Sequence, residues 1–176
     1  GPVVYSGFNT DSHDVKNTDV YQVLGEDANL TRYQNIKNTK LNAIDPCVLF
    51  DKDGSLWMVF GSWFGGLYML RLDENTGLRD YTTTYETIPN EQDAYYGYKL
   101  HGGFGVSGEG PYIIEKDGYY YLFVSYGGLV ADGGYQMRVF RSEKITGPYV
   151  DEAGNSAVYT KECNDLFEKV GVRIMG

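Results

Sequence analysis

Two acidic residues occupy matching places in two similar segments. Asp45 lies in Asn42-Ala43-Ile44-Asp45-Pro46 and Glu109 in Gly108-Glu109-Gly110-Pro111, each just ahead of a short apolar run. Two carboxyl groups facing a common cleft are what hydrolysis of a glycosidic bond requires. One is held protonated to give its proton to the leaving oxygen, and a nearby acid tunes it through charge and desolvation. The proline that follows lacks an N–H, is tolerated at the first residue of a strand, and restrains the residue before it to an extended conformation. Both side chains are therefore expected to be aimed reproducibly. For either residue taken alone the competing reading is a turn residue capping a hairpin; the repeated placement favours the shared cleft.

Other residues with chemical potential are less committed. Trp63 either stacks on a sugar face, whose C–H groups pack well on an aromatic ring, or packs in the core. Alternation turns Trp57 inward, as core. His101, in Lys99-Leu100-His101-Gly102-Gly103, reads as a loop residue near the cleft rim, and His13-Asp14, followed by Val15-Lys16-Asn17, reads as loop. Asp132-Gly133-Gly134 and the acidic cluster from Asp11 to Asp19 lack metal-loop spacing and read as solvated loops.

The elements that must position Asp45 and Glu109 come from an internal repeat. The first unit runs Asp45-Pro46-Cys47-Val48-Leu49-Phe50, turns at Asp51-Lys52-Asp53-Gly54, and continues from Leu56 to Trp63. The second runs Pro111-Tyr112-Ile113-Ile114, turns at Lys116-Asp117-Gly118, and continues from Tyr119 to Tyr126. Asp-Gly between two such runs is a strong hairpin signal, because both residues tolerate the positive φ of a type I′ turn. A Gly-Gly pair and a third strand follow in each unit, Leu67 to Leu72 and Tyr135 to Arg141. The spacing of roughly 65 residues exceeds common propeller repeats, and a loop from about Asp80 to Ser107 is expected to absorb the excess. Successive antiparallel sheets around a central channel, an all-β propeller, is the resulting fold. The first strand of each blade lines the channel, so equivalent positions in successive blades converge.

Composition agrees. Seventeen Tyr and 23 Gly against 4 Met suit sheet with tight turns. A net charge of -9 repels nucleic acid and acidic membrane surfaces, leaving a neutral or weakly charged substrate. No apolar run of about 18 residues is present, and no basic segment followed by an apolar one opens the chain, so neither a membrane span nor a signal peptide is expected in it. Cys47 and Cys163 are far apart in sequence and read as two separate buried thiols.

Asn42-Ala43-Ile44-Asp45-Pro46, Gly61-Ser62-Trp63-Phe64-Gly65-Gly66 and Glu109-Gly110-Pro111-Tyr112-Ile113 resemble, in that order, the motifs of glycoside hydrolase family 43 arabinanases. The stretches Tyr119 to Gly128 and Gly133 to Tyr149 extend the likeness. The resemblance implies a five-bladed β-propeller and cleavage of α-1,5-linked arabinofuranosyl chains of plant cell-wall arabinan by an inverting mechanism. It implies Glu109 as the acid and Asp45 as the Asp that raises the acid's pKa and orients it. Asn42 and Ser62 match positions that hydrogen-bond the arabinose. The family's base, in a His-Asp-Pro motif at the first blade, has no counterpart here, nor does the late histidine near a central metal, often calcium. Calcium would then take its family ligand from outside this chain. A secreted or cell-envelope location is also implied.

Blade-like units near 41–80 and 107–150 amount to about two and a half blades, which cannot close a ring. The run from Pro2 to Phe8 and the segment Gly171 to Gly176 both read as strand-like. The chain is therefore expected to act with complementary polypeptide completing the propeller. The rival readings are a family 43 β-xylosidase or arabinofuranosidase, and a non-catalytic propeller that binds glycan.

Overall fold

The computed structural model describes residues 19–35, 39–162 and 170–176. The readings made for Pro2 to Phe8, His13-Asp14 and Cys163 lie outside the described residues.

The regular structure of the described residues is almost entirely antiparallel sheet. Strands β1 (Cys47–Phe50), β2 (Leu56–Phe60) and β3 (Leu67–Leu72) form the first meander. The short β4 (Gln92–Asp93) and β5 (Gly97–His101) extend it to the order β1-β2-β3-β5-β4. A second sheet carries β6 (Glu109–Lys116), β7 (Tyr119–Tyr126), β8 (Gln136–Ser142) and β9 (Val172–Met175), in chain order. Among the described residues helix is confined to α1 (Val20–Leu24) and a single 3-10 turn (Thr31–Gln34).

The segment from Asp80 to Ser107, expected to be loop, supplies β4 and β5. Lys99 pairs with Tyr68 and Tyr98 with Met69, so the first sheet gains a fourth full strand. The strand-like reading at the chain's other end holds, because β9 pairs with β8. The two Asp-Gly turns differ. Asp117 and Gly118 both adopt positive φ, 53° and 86°, between the paired Lys116 and Tyr119, as a two-residue type I′ hairpin requires. Around Asp53 only Gly54 turns left-handed, because the Asp53 carboxylate is occupied by the Ser55 N–H at 2.9 Å in a longer loop.

One face of each sheet meets the other. Val59, Leu67 and Met69 from the first pack with Ile113, Leu122, Val124 and Phe140 from the second, with Trp57 buried among them as alternation requires. A second core lies on the far face of the first sheet, where Tyr33, Tyr68, Tyr95 and Tyr96 pack with Leu70 and Val20. Asp19, read as part of a solvated acidic loop, buries its side chain there: the carboxylate pairs with Arg79 at 3.2 Å and accepts the Tyr95 hydroxyl. A guanidinium and a phenol compensate the carboxylate, which makes its burial tolerable. The outward faces keep apolar side chains, with Val48 and Phe50 at 52% and 64% exposure on one side and Tyr112 at 58% on the other.

Candidate active site

In an antiparallel sheet alternate strands run the same way, so β1, β3, β6 and β8 begin at one end of their sheets and β2 and β7 finish there. Because β6 packs against β1 and β2, the ends of the two sheets adjoin. Asp45 stands two residues ahead of β1, Trp63 three residues past β2, Glu109 opens β6, and Tyr135 immediately precedes β8. Strand direction alone therefore gathers four side chains that are distant in sequence.

Three of them, Asp45, Glu109 and Tyr135, line an open groove of ≈ 760 Å³ together with Ile44, Tyr112 and Leu129, and Trp63 joins them through its bond to Glu109. Glu109 is held by both oxygens. The Tyr135 hydroxyl donates to Oε1 at 2.7 Å and the Trp63 indole Nε1–H to Oε2 at 3.3 Å. Asp45 Oδ2 accepts the Gly110 backbone N–H at 3.1 Å, which ties one carboxylate to the peptide that carries the other. The main chain repeats the tie: the Trp63 N–H donates to the Gly108 carbonyl at 2.8 Å, and the Gly105 N–H to the Phe64 carbonyl at 2.9 Å.

The backbone that aims these groups departs from the extended conformation expected before proline. Asp45 has φ 55° and Gly110, which precedes Pro111, has φ 59°. The residue equivalent to Asp45 is thus Gly110, and Glu109 sits one position earlier. A register irregularity between Glu109 and Tyr112 accommodates the extra residue. The chain enters each sheet through a sharp left-handed corner, which Asp tolerates better than most side chains. Trp63 and Phe64 are left-handed too, at 52° and 45°. Such strained backbone concentrates at functional sites, where the surrounding bonds over-determine it.

Tyr135 was legible only as the start of a third strand; the signal it offers is its position at the same sheet end as Glu109. Partial burial first, and then its bond to Glu109, raise its phenol above the ordinary value, with the Asp45 charge acting in the same direction. It therefore remains an O–H donor throughout the neutral range. The other candidates separate. Ser62 is buried and Asn42 half-buried, and neither is among the groove's lining residues. His101 is not at a rim: it ends β5 fully buried, against Tyr126 and Phe140. Cys47 is a free, half-buried thiol beside the groove. The loop carrying Asp132 is exposed. Among the described residues no group of three or more His, Cys, Asp or Glu side chains is placed to hold a metal ion. Among them, too, no helix is long and apolar enough to cross a membrane.

Comparison with known proteins gives this geometry a context. A family model described as glycosyl hydrolases family 43 matches residues 3–171. An extracellular endo-α-(1→5)-L-arabinanase of Thermotoga petrophila is 43% identical over 164 residues, covering 92% of this chain and 32% of the relative. A crystal structure of endo-1,5-α-L-arabinanase from the same organism superposes with a TM-score of 0.65 at 44% identity, over 80% of this chain and 30% of that one. An α-L-arabinanase of Cellvibrio cellulosa, complexed with arabinohexaose, superposes with a TM-score of 0.57 at 30% identity, over 77% of this chain and 41% of that one. The chain thus spans about a third of the length of the relatives it matches.

Proposed function

The chain belongs to glycosyl hydrolases family 43, and from that premise we propose that it is part of a secreted hydrolase cleaving α-1,5-linked L-arabinofuranosyl chains of arabinan. The two sheets are then two blades of a five-bladed propeller. The exposed apolar side chains on their outward faces, Val48 and Phe50 on one and Tyr112 and Ile114 on the other, support further blades packing there. Activity belongs to the completed propeller, because the relatives that carry it are about three times as long.

One observation carries the reading: Asp45 and Glu109, on different sheets, line one groove, and the Asp45 carboxylate holds the Gly110 N–H that directly follows Glu109. Glu109 is the acid. As the glycosidic C–O bond breaks, its proton passes to the leaving oxygen, while water attacks the opposite face of the sugar and yields its own proton to a base. In an inverting enzyme base and acid stand about 6.5 to 9.5 Å apart, leaving room for that water. The base comes from outside the described residues, as would ligands for any calcium at the propeller centre. Asp45 keeps a negative charge beside the acid and fixes its peptide. Trp63, Asn42 and Ser62 are proposed to face the arabinose once the cleft is complete.

The test is Glu109→Gln in the completed propeller. The amide keeps the shape and removes the transferable proton. Cleavage of linear arabinan should be lost while arabino-oligosaccharide binding survives; cleavage at near the parent rate would overturn the assignment, and binding without cleavage in the parent would mean a glycan-binding propeller instead.

A further inference from the structure

A fully buried titratable side chain lies against the residue that precedes the proposed acid. His101, at 0% exposure, stacks edge-on against Tyr126 and Phe140 with ring centroids 5.3 Å away in each case, and against Tyr159 at 6.3 Å. Its Nε2 is in hydrogen-bond contact with the Tyr126 hydroxyl, while Nδ1 has no hydrogen-bond partner among the described residues. An unsatisfied buried nitrogen is costly, and a hydrocarbon side chain of similar size would avoid that cost. The ring's position shows what it does instead. A Cβ added at Gly108 would lie 2.5 Å from His101 Cε1 and 2.9 Å from Nδ1, so the imidazole fills the space a side chain at position 108 would need. Gly108 is the residue before Glu109, and its carbonyl accepts the Trp63 N–H.

We propose that His101 is a positioning residue for Glu109: its ring, pinned by Tyr126, seats the Gly108 peptide so that the Glu109 carboxylate falls between the Trp63 indole and the Tyr135 hydroxyl. The proposal rests on the reading of Glu109 as the acid. Burial first, and the neighbouring Lys99 charge second, push the imidazole pKa down to about 3. The ring is therefore neutral wherever the protein is folded near neutrality, and it supplies shape rather than charge. Its rigidity follows from having aromatic rings on three sides and glycine backbone on the fourth.

The test is a double-mutant cycle of His101→Ala and Gly108→Ala in the completed propeller, read by turnover on linear arabinan and by the indole N–H resonances of Trp63 and Trp57. Each single variant should lower kcat about tenfold with KM nearly unchanged, because the acid is misplaced rather than the sugar released. The Trp63 resonance should move while that of Trp57, bonded to Ser55 at 2.8 Å, stays put. In the double variant the new methyl enters the vacated ring space, so Gly108→Ala should cost several-fold less without His101 than with it. Tyr126→Phe, which removes only the hydroxyl, gives a milder form of the same change should His101→Ala fold poorly. Additive losses, or a Trp63 resonance unmoved by both the His101 and Tyr126 changes, would overturn the proposal. A parent protein inactive on arabinan would sink the functional reading alone, with the two resonances still deciding the role of His101.

Discussion

Replacing Tyr135 by Phe probes the acid with little risk to the fold, since the hydroxyl lies in the open groove and donates to Glu109 Oε1 at 2.7 Å. While Glu109 holds its proton, this is an ordinary hydrogen bond. As the proton leaves for the glycosidic oxygen the acceptor becomes a carboxylate, and a bond to a charged partner is worth about 1.5 to 3 kcal/mol against roughly 1 for a neutral one. The difference, about 1 kcal/mol in this partly exposed site, is felt only as charge develops, so it stabilises the transition state and not the bound substrate. Removing it should lower kcat by about five- to tenfold and leave KM unchanged. Because burial and the bond to Glu109 hold the phenol protonated beyond its ordinary range, the ratio of parent to variant should be flat from pH 5 to 8. Steady-state kinetics on linear arabinan across that range, with the completed propeller, measures both. An unchanged kcat, or a loss confined to KM, would refute the reasoning.

Asp45→Asn keeps an oxygen to accept the Gly110 N–H but discards the charge, so turnover should fall at least tenfold with the fold and oligosaccharide binding retained; a fully active variant would make Asp45 a turn residue. Arg79→Met should cost about 3 to 5 kcal/mol in denaturant unfolding, because it strands the buried Asp19 carboxylate, and adding Asp19→Asn should recover much of the loss. Gly66→Ala forces a side chain at φ 108° into the His101 carbonyl and should destabilise by more than about 2 kcal/mol, readable as a lowered melting temperature. Lys99 is lowered to about 8 by burial, so between pH 8 and the ordinary lysine range the unfolded chain binds more protons than the folded one and stability rises with pH. Melting curves from pH 7 to 9.5 should show that rise in the parent and not in Lys99→Met.

What the sequence made legible was set by local chemistry. Strands β3 and β7 fall where the apolar runs place them, and the Asp117-Gly118 hairpin follows from two residues that accept positive φ. Strand β5 was hidden because Gly97-Tyr98-Lys99-Leu100-His101 carries two cationic-type side chains in an apolar position, and only tertiary packing against Tyr68 and Gly103 makes a buried lysine readable as strand. The left-handed corner at Asp45 contradicts the ordinary preference before proline, and no local signal announces it. Tyr135 was not singled out as a site residue, and His101 was placed at the rim, for the same reason. Their importance lies in what stands opposite, and that depends on how two sheets abut.

That abutment also explains why the site is where it is. No single hairpin holds the groove: Asp45 and Trp63 belong to the first sheet, Glu109 and Tyr135 to the second, and each hydrogen bond that Trp63 or Asp45 makes to the Glu109 segment crosses the seam. At the opposite end the seam is closed again by the Tyr120 hydroxyl on Asp51, with the Lys52 ammonium 5.5 Å from the Tyr120 ring centre. Between the two ends lies the apolar layer of Val59, Met69, Ile113 and Leu122. A change in how the sheets pack must therefore shift the two carboxylates relative to each other. Close-packed interiors resist such shifts, because a displaced side chain finds no empty space to enter. The carboxylate spacing on which an acid and its partner depend is in this way inherited from the core, and core substitutions along the seam should register in turnover before they register in substrate binding.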